Sequence, residues 1–500
     1  MTDGVLVIDV GTSNVRAAVV RADASVDHVR HAPLASRSPA PGLVEIDAGL
    51  LAESVVELAT ATVEAAGPVA GVGITNQRAT SIVWERASGK PVGPAIGWQD
   101  LRTVVKCLEL QGAGLRLAPN MSATKIAAIL DEVDPDRRRA GELCAGTVDS
   151  WVAWTLAGGA ASGLHVTDAT NVAVTGLVRA GAGATGEEAL DAATWDTRVL
   201  EALGIPAEAL PAVVDTAGIV GEAAAVPGAP PICALVGDQQ ASLVGQGCTR
   251  PGMAKATFGS GGMLDLCTGA APLRARRGDE GTFPIVAWRR GGVTVWGVEA
   301  ILLTAGTCVE WLVDLGLITS AAESAAVAAA CESTEDVWFV PALMGMGTPV
   351  WDFGARGTLV GATRGTGRPQ LVRAVLEGIA HRGADLLEAA EADGGASVDE
   401  LRVDGGMSAN EVFVQALADA CGKPIQLSAQ LEATTLGAGL LAGLALGTWA
   451  DTDDLALAYR PRATVEPRLD GPARSAVRER WLQARDKAVR TIPDLSGIDF

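Results

Sequence analysis

No run of more than three basic residues occurs in the 500-residue chain, and its formal net charge is −20 at pH 7. A surface this acidic offers no counter-charge to a phosphate backbone or an anionic leaflet, so nucleic acid and membrane are not expected partners. The eight cysteines include no C-x-x-C pair, and the four histidines (28, 31, 165, 381) do not cluster. Neither a zinc site nor a disulfide frame is expected; the cysteines read as buried apolar thiols. With so few imidazoles, acid–base chemistry falls to carboxylates. G-x-x-x-x-G-K-[ST] is absent, which excludes a P-loop. The N-terminal "MTDGVLVIDVG" enters a strand without a basic region and apolar leader, and we expect a cytoplasmic protein. The most membrane-like run, "TTLGAGLLAGLALGTW" (434–449), is short for a span. Its Gly439, Gly443 and Gly447 recur every four residues and predict a helix whose flat glycine face packs closely in a core.

What is present is a core-forming composition: 48% of residues are apolar, and the length fits two or three domains. Buried-strand runs at 5–9, 69–75, 232–238, 254–261 and 401–406 alternate with helical patterns at 49–66, 196–203, 369–391 and 410–420. That alternation is α/β architecture. An internal symmetry is visible. "IDVGTSNVRAAVV" and "ATFGSGGMLDLCTG" are each strand, small-residue turn, strand, and each precedes a strand ending in Asp and a helix: "VGDQQASLVG" and "VDGGMSANEVF". Two halves with a cleft between them follow, divided near "GQGCTRPG" (245–252). The Gly/Ala-rich stretch 179–186 reads as a surface loop. Its "GAGATG" matches the dinucleotide pattern G-x-G-x-x-G, but no strand ending in Asp or Glu follows at the required distance, so no Rossmann site is expected.

Tight glycine turns between strands bring backbone N–H groups and hydroxyls close to a phosphate. Asp9, Gly11, Thr12, Ser13 and Asn14, with Arg16 just beyond, make one such turn; Gly259, Ser260, Gly261 and Gly262 make another. Either alone could be an ordinary hairpin; the matched pair points to a phosphate site. Asp9 is placed to hold Mg²⁺ through water. Asp238, at the end of an apolar strand, can take a proton from an attacking hydroxyl, or can cap the helix that follows. Asp404, Gly405 and Gly406 lead into "MSAN", where the backbone could pass a ribose or adenine and Asn410 could meet the base. In "GVGITNQRATSIVW" (71–84) one arginine, Arg78, lies in an apolar frame, and a side chain that always carries charge needs something to hold.

These pieces, in this order, resemble the FGGY carbohydrate kinases, among them the glycerol kinases most. The strings "ITNQRATSIVWERASGKP", "GTVDSWVAW", "HVTDATN", "GDQQASLVGQ", "GTPVWDFGARG", "LRVDGGMSAN" and "TTLGAGLLAGLALG" carry the likeness over nearly the whole chain, residues 5–465. The resemblance implies two duplicated actin-like (ribonuclease H-like) ATPase domains around a central cleft. Residues 1–246 would bind substrate and supply the base, and residues 247–500 would bind the nucleotide. It implies transfer of the γ-phosphate of ATP, with Mg²⁺ near Asp9 and Asp238, to a hydroxyl of a small polyol or sugar. Asp238 then matches the catalytic base, and Arg78, Trp98 and Gln239 match substrate contacts. Thr12, Ser13, Asn14 and Arg16 match the first phosphate turn, and Ser260 the second. Gly306, Gly406 and Asn410 match nucleotide contacts, with Glu310 where glycerol kinases carry glutamine. Family members are often dimers or tetramers, so a homo-oligomer is implied.

The departures fall on the substrate side. Ala79 stands where glycerol kinases have a glutamate that accepts from a glycerol hydroxyl, Asn120 where they have tyrosine, Met263 where they have phenylalanine, and Asp100 where they have cysteine. Losing a buried acceptor costs roughly 1–3 kcal/mol if nothing replaces it. The expectation is that Arg78 and Asp100 hold hydroxyls of a polyol or sugar larger than glycerol. The alternatives are a glycerol kinase with a relaxed pocket, or an actin-like ATPase without sugar kinase activity. The segment 221–233, "GEAAAVPGAPPIC", has no Arg or Lys, so no anionic effector is expected there.

Overall fold

The computed structural model describes residues 4–182, 188–271, 277–429 and 432–498. Two mixed sheets organise it. In the first, the strand order is Ala217–Glu222, Pro231–Gly237, Gly71–Asn76, Gly4–Val10, Asn14–Arg21, Val26–Pro33; in the second it is Phe283–Arg290, Val293–Leu302, Gly262–Gly269, Ala254–Phe258, Leu401–Asp404, Ile425–Ser428, Pro461–Val465. Each sheet contains an antiparallel meander whose first strand pairs in parallel with a later one, which pairs in parallel with another. The duplication is therefore real, but its register differs from the expected one. Leu401–Asp404 occupies the place of Gly71–Asn76, and Ile425–Ser428 that of Pro231–Gly237. A terminal Asp alone misaligns the halves; strand neighbours set the correspondence.

The strand Gly4–Val10 is buried at every position, as a strand covered on both faces must be. Leu6, Ile8 and Val10 enter one core with Leu51, Val55 and Trp151, while Val5 and Val7 enter another with Leu436, Leu440 and Leu441. The period-2 alternation thus feeds two layers of helix. The second of these layers is drawn from late in the sequence: the Ala433–Leu446 helix packs on the first sheet.

The spacing of four in that helix predicts a glycine face of residues 439, 443 and 447. Gly447 instead sits beyond the helix as its left-handed cap, at φ 78°. Gly437 makes the closest approach: a Cβ there would overlap the Ala241 carbonyl oxygen, and one at Gly245 would overlap that of Ala433. The helices Asp238–Gly245 and Ala433–Leu446 consequently touch backbone to backbone. Gly437→Ala is expected to cost at least about 1–3 kcal/mol of stability by overpacking and to lower turnover, because the crossing fixes the helix that starts at Asp238. Denaturant midpoints and steady-state rates check this; an unchanged midpoint would mean the crossing is loose.

No helix among the described residues is long and apolar enough to cross a membrane. The eight thiols are unpaired, and all but Cys331 are buried. Val178–Ala182 and Glu188–Trp195 form a hairpin, so part of the expected 179–186 loop is strand; residues 183–187, including most of "GAGATG", lie outside the described residues.

Candidate active site

The parallel strands Gly71–Asn76 and Pro231–Gly237 are neighbours, with Gly237 opposite Asn76. Their ends emerge together and deliver Arg78 and Asp238 to one spot. Arg78 Nε lies 3.7 Å from Asp238 Oδ1. A Cβ on Gly237 would stand 2.7 Å from Arg78 Cδ, so glycine is what lets the arginine lie across the strand end. Asp238 is the first residue of its helix rather than the cap, and its Oδ1 accepts from the Gln239 backbone N–H at 2.8 Å. Burial raises its pKa above the ordinary 3.8 against the pull of Arg78, the Gln239 N–H and Lys255. A carboxylate held in that way is a better proton acceptor.

Three charged residues that sequence reasoning passed over close the site from the second sheet. Lys255, Asp265 and Glu299 are cross-strand partners, Lys255 opposite Asp265 and Asp265 opposite Glu299. Glu299 Oε2 accepts from Arg78 Nη2 at 2.6 Å. The Lys255 ammonium, fully buried, lies 2.8 Å from Asp265 Oδ2 and donates to Gln239 Oε1 at 2.6 Å. The second sheet therefore grips both Arg78 and Gln239. Two carboxylates side by side repel; burial, with Glu299 adding to it, pushes Asp265 up to about 6 even with Lys255 beside it. The only sequence signal was one charged letter in each of three apolar runs: "AKATF", "MLDLC" and "VEAIL".

Among the described residues Arg78 Nη1 is buried without a partner, and with Gln239 Oε1 taken by Lys255 the Gln239 amide nitrogen is the end left to a ligand. Ala79 adopts φ 62°, a left-handed conformation that costs a residue with a Cβ about 1–2 kcal/mol. Its carbonyl is fastened by Ser81 Oγ, Ser122 Oγ and the Lys125 ammonium. Lys125 also donates to the carbonyls of Trp98 at 3.3 Å and Asn120 at 2.8 Å, joining three of the expected substrate-side positions at one fully buried nitrogen. Burial drops its pKa to about 7. Trp98 Nε1 donates to Thr12 Oγ1 at 3.4 Å, tying this wall to the first glycine turn. Asn120 is exposed, and Met263 is half-buried on the face that also carries Asp265.

Asp100 does not take the position expected of it. It is fully buried, with Oδ1 accepting from the Arg102 N–H and Nε and Oδ2 from Arg102 Nη2 and the Val44 N–H. Both oxygens hold a loop together, so Asp100 is not poised to receive a hydroxyl in this structure.

Asp9, next to last in the Gly4–Val10 strand and beside the first turn, accepts from Thr435 Oγ1 at 3.1 Å, with Arg16 Nη1 3.5 Å away. Burial, reinforced by Asp238 and Glu432, raises it to about 6. Arg16 also pairs with Glu432, so its charge is shared with two acids. Thr12, Ser13 and Asn14 are exposed at the turn. The second turn is anchored on the helix Gly306–Asp314: the Ser260 carbonyl accepts from the Ala305 and Thr307 N–H groups, and the Gly259 carbonyl from Gly306. A Cβ on Gly306 would lie 2.6 Å from that Gly259 oxygen. Glu310 is exposed on the same helix. A Cβ on Gly406 or Gly259 would meet no atom of the described residues within 4 Å. Asn410 is more occupied than expected: its Oδ1 caps the Glu411–Cys421 helix and its Nδ2 donates to Ser324 Oγ at 2.9 Å. Asp404 Oδ2 accepts from Gln246 Nε2 at 2.9 Å and so also braces the end of the helix begun by Asp238.

The models of the FGGY family of carbohydrate kinases match this chain twice, the N-terminal domain over residues 4–245 and the C-terminal domain over 254–446. The chain belongs to the FGGY family of carbohydrate kinases. The kinase is 41% identical over 502 residues to the glycerol kinase of Aromatoleum aromaticum, covering 97% of this chain and 98% of that one. It is 42% identical over 462 residues to the glycerol kinase of Alkalilimnicola ehrlichii, covering 89% and 90%. The structure of Plasmodium falciparum glycerol kinase with ADP superposes with a TM-score of 0.89 at 27% identity, covering 97% and 98%. The xylulose kinase of Rhodospirillum rubrum, at 22% identity and a TM-score of 0.80 over 97% and 98%, shares the fold. This kinase is accordingly a phosphotransferase of glycerol kinase type with an alcohol group as acceptor, built on the duplicated actin-like (ribonuclease H-like) ATPase fold.

Proposed function

We propose that the kinase transfers the γ-phosphate of ATP to a hydroxyl of a small polyol or sugar larger than glycerol, with Asp238 as the base. The observation that carries this reading is the pairing of Asp238 with Arg78 at two adjacent strand ends, with one guanidinium nitrogen left buried and unpartnered. Asp238 takes the proton as the acceptor oxygen attacks phosphorus. Arg78 Nη1 and the Gln239 amide donate to the other oxygens of the substrate, and Trp98 forms the apolar wall. Residues 1–246 carry these groups; residues 247–500 receive the nucleotide through Ser260, Gly306, Glu310, Gly406 and Asn410. Thr12, Ser13, Asn14 and Arg16 meet the phosphates. Two neighbouring carboxylates whose pKa values are both raised suit a divalent cation, and Asp9 and Asp238 would hold Mg²⁺ through water. The metal would neutralise charge on the transferring group.

A substrate larger than glycerol is supported by Ala79, Asn120 and Met263, which leave a wall without the acceptor and rings of a glycerol site. Asp100, with both oxygens engaged, does not add to it. The second reading, glycerol itself, is favoured by the names of the relatives at about 40% identity. ADP formation with matched glycerol, three- to six-carbon polyols and ketoses, with Asp238→Ala as blank, decides. We expect a four- or five-carbon compound to exceed glycerol in kcat/KM by about tenfold, or 1.4 kcal/mol of transition-state binding. Glycerol giving the highest value would establish the second reading.

A further inference from the structure

The string "HVTDATN" (165–171) has no part in the proposed chemistry, yet the structure puts it beneath both reactive residues. Asp168 ends the Val166–Asp168 strand and is fully buried, as are Thr170, Asn171, Asn76 and Thr216. Its Oδ1 accepts from Thr170 Oγ1 at 2.9 Å and from Asn171 Nδ2 at 2.9 Å; its Oδ2 accepts from Thr216 Oγ1 at 2.7 Å and the Thr170 N–H at 2.9 Å.

From this carboxylate two branches run to the two strand ends. In one, Thr170 Oγ1, its proton committed to Asp168, accepts from the Gly237 N–H at 2.8 Å, one residue before Asp238. In the other, Asn171 and Asn76 exchange amide hydrogen bonds, Asn76 Nδ2 to Asn171 Oδ1 at 2.9 Å and Asn171 Nδ2 to Asn76 Oδ1 at 3.2 Å, two residues before Arg78. Asn76 Nδ2 also donates to the Gln77 carbonyl at 2.8 Å. A carboxylate accepts only, so an ionised Asp168 fixes the direction of every hydrogen bond in both branches. Asp149 beneath it receives the Asp168 N–H at 3.1 Å and holds Thr167, so the acid is braced from below.

We propose that Asp168 is a positioning residue which, through Thr170 and Asn171, sets Asp238 and Arg78 at their working separation. It rests on the roles proposed for those two residues in phosphoryl transfer. The two branches are then separable: the Thr170 branch governs the base and should govern turnover, while the Asn171 branch governs the arginine and should govern substrate affinity.

The test uses the full chain and the best substrate found in the panel. Thr170→Val should lower kcat about tenfold or more with KM little changed, since small misplacements of a reacting group are costly. Asn171→Ala should raise KM about tenfold with kcat largely kept, the signature of lost substrate binding. Thr170→Ser, which keeps the hydroxyl, should restore the wild-type kcat. If Thr170→Val does not fold, Thr170→Ala removes the same hydroxyl without added bulk and is read in its place. Variants that change kcat and KM together, or change only the thermal midpoint and the yield of active protein, would overturn the proposal. An active wild type with unchanged variants overturns the positioning role alone, whereas a wild type inactive on every polyol and sugar overturns the proposed function and this role with it.

Discussion

Asp238→Asn is expected to lower kcat by about 10²–10⁴-fold, the usual contribution of a positioned general base, while leaving the protein at least as stable as before. The stability half of that statement follows from the sign of the pKa shift. Burial raises the Asp238 pKa in the folded protein, so the ionised form opposes folding once the pH exceeds the unfolded value. A neutral amide of the same shape removes that penalty. Arg78 is not orphaned by the change, because Glu299 still accepts from it at 2.6 Å. The same shift sets the acid limb of the wild-type rate: activity is lost as pH falls through the raised Asp238 pKa, starting above the range of an ordinary aspartate. Asp9, pushed up to about 6, also takes up its proton on the acid side. Its effect is isolated by the residual activity of Asp238→Asn. Rates from pH 5 to 9 and thermal midpoints of both proteins give the readout. Retention of more than a tenth of the wild-type kcat would remove Asp238 as the base.

Arg78 and Asp238 were legible in the sequence because each is a charged residue at the end of an apolar strand, a local pattern. The two glycine turns were legible for the same reason. What surrounds them was not. Lys255, Asp265 and Glu299 meet through cross-strand register, and register depends on which strands are neighbours rather than on any string of letters. Asp100 shows the opposite failure. Its letter stood out against the cysteine of glycerol kinases, but Arg102, two residues on, occupies its oxygens. The helix crossing was not legible either, although Gly439 and Gly443 do pack closely, against Val20 and Trp449, as their spacing predicts. Spacing of four singled out Gly439, Gly443 and Gly447, whereas the close contact needs one glycine on each helix, Gly437 and Gly245, and no single-helix pattern contains that pair.

Lys255→Met is expected to cost about 3–5 kcal/mol of stability, more than the glycine substitution at the helix crossing, because it leaves Asp265 buried with its counter-ion gone. Lys255 and Asp265 are both fully buried, and the nearest other charge across the strands, Glu299, has the wrong sign. Lys255→Met/Asp265→Leu should recover most of that loss, since a hydrophobic pair can replace a buried ion pair at little cost. The pH dependence separates this account from simple loss of packing. Asp265 already has a folded pKa of about 6 with Lys255 present, above the 3.8 of an ordinary aspartate. Without the ammonium it rises further, so the deficit of the single variant is full at higher pH and shrinks as the pH falls through the folded pKa and the acid takes up its proton. The double variant has no such acid, so its own stability loses this pH dependence. Function does not return with stability. Gln239 Oε1 loses its donor in both variants, so the amide no longer presents a fixed nitrogen to the substrate, and KM should remain several-fold raised in both. Urea midpoints at pH 6 and 8, with KM for the preferred substrate, test the set; equal midpoints for the single and double variants at both pH values would show that Lys255 and Asp265 are not a coupled pair.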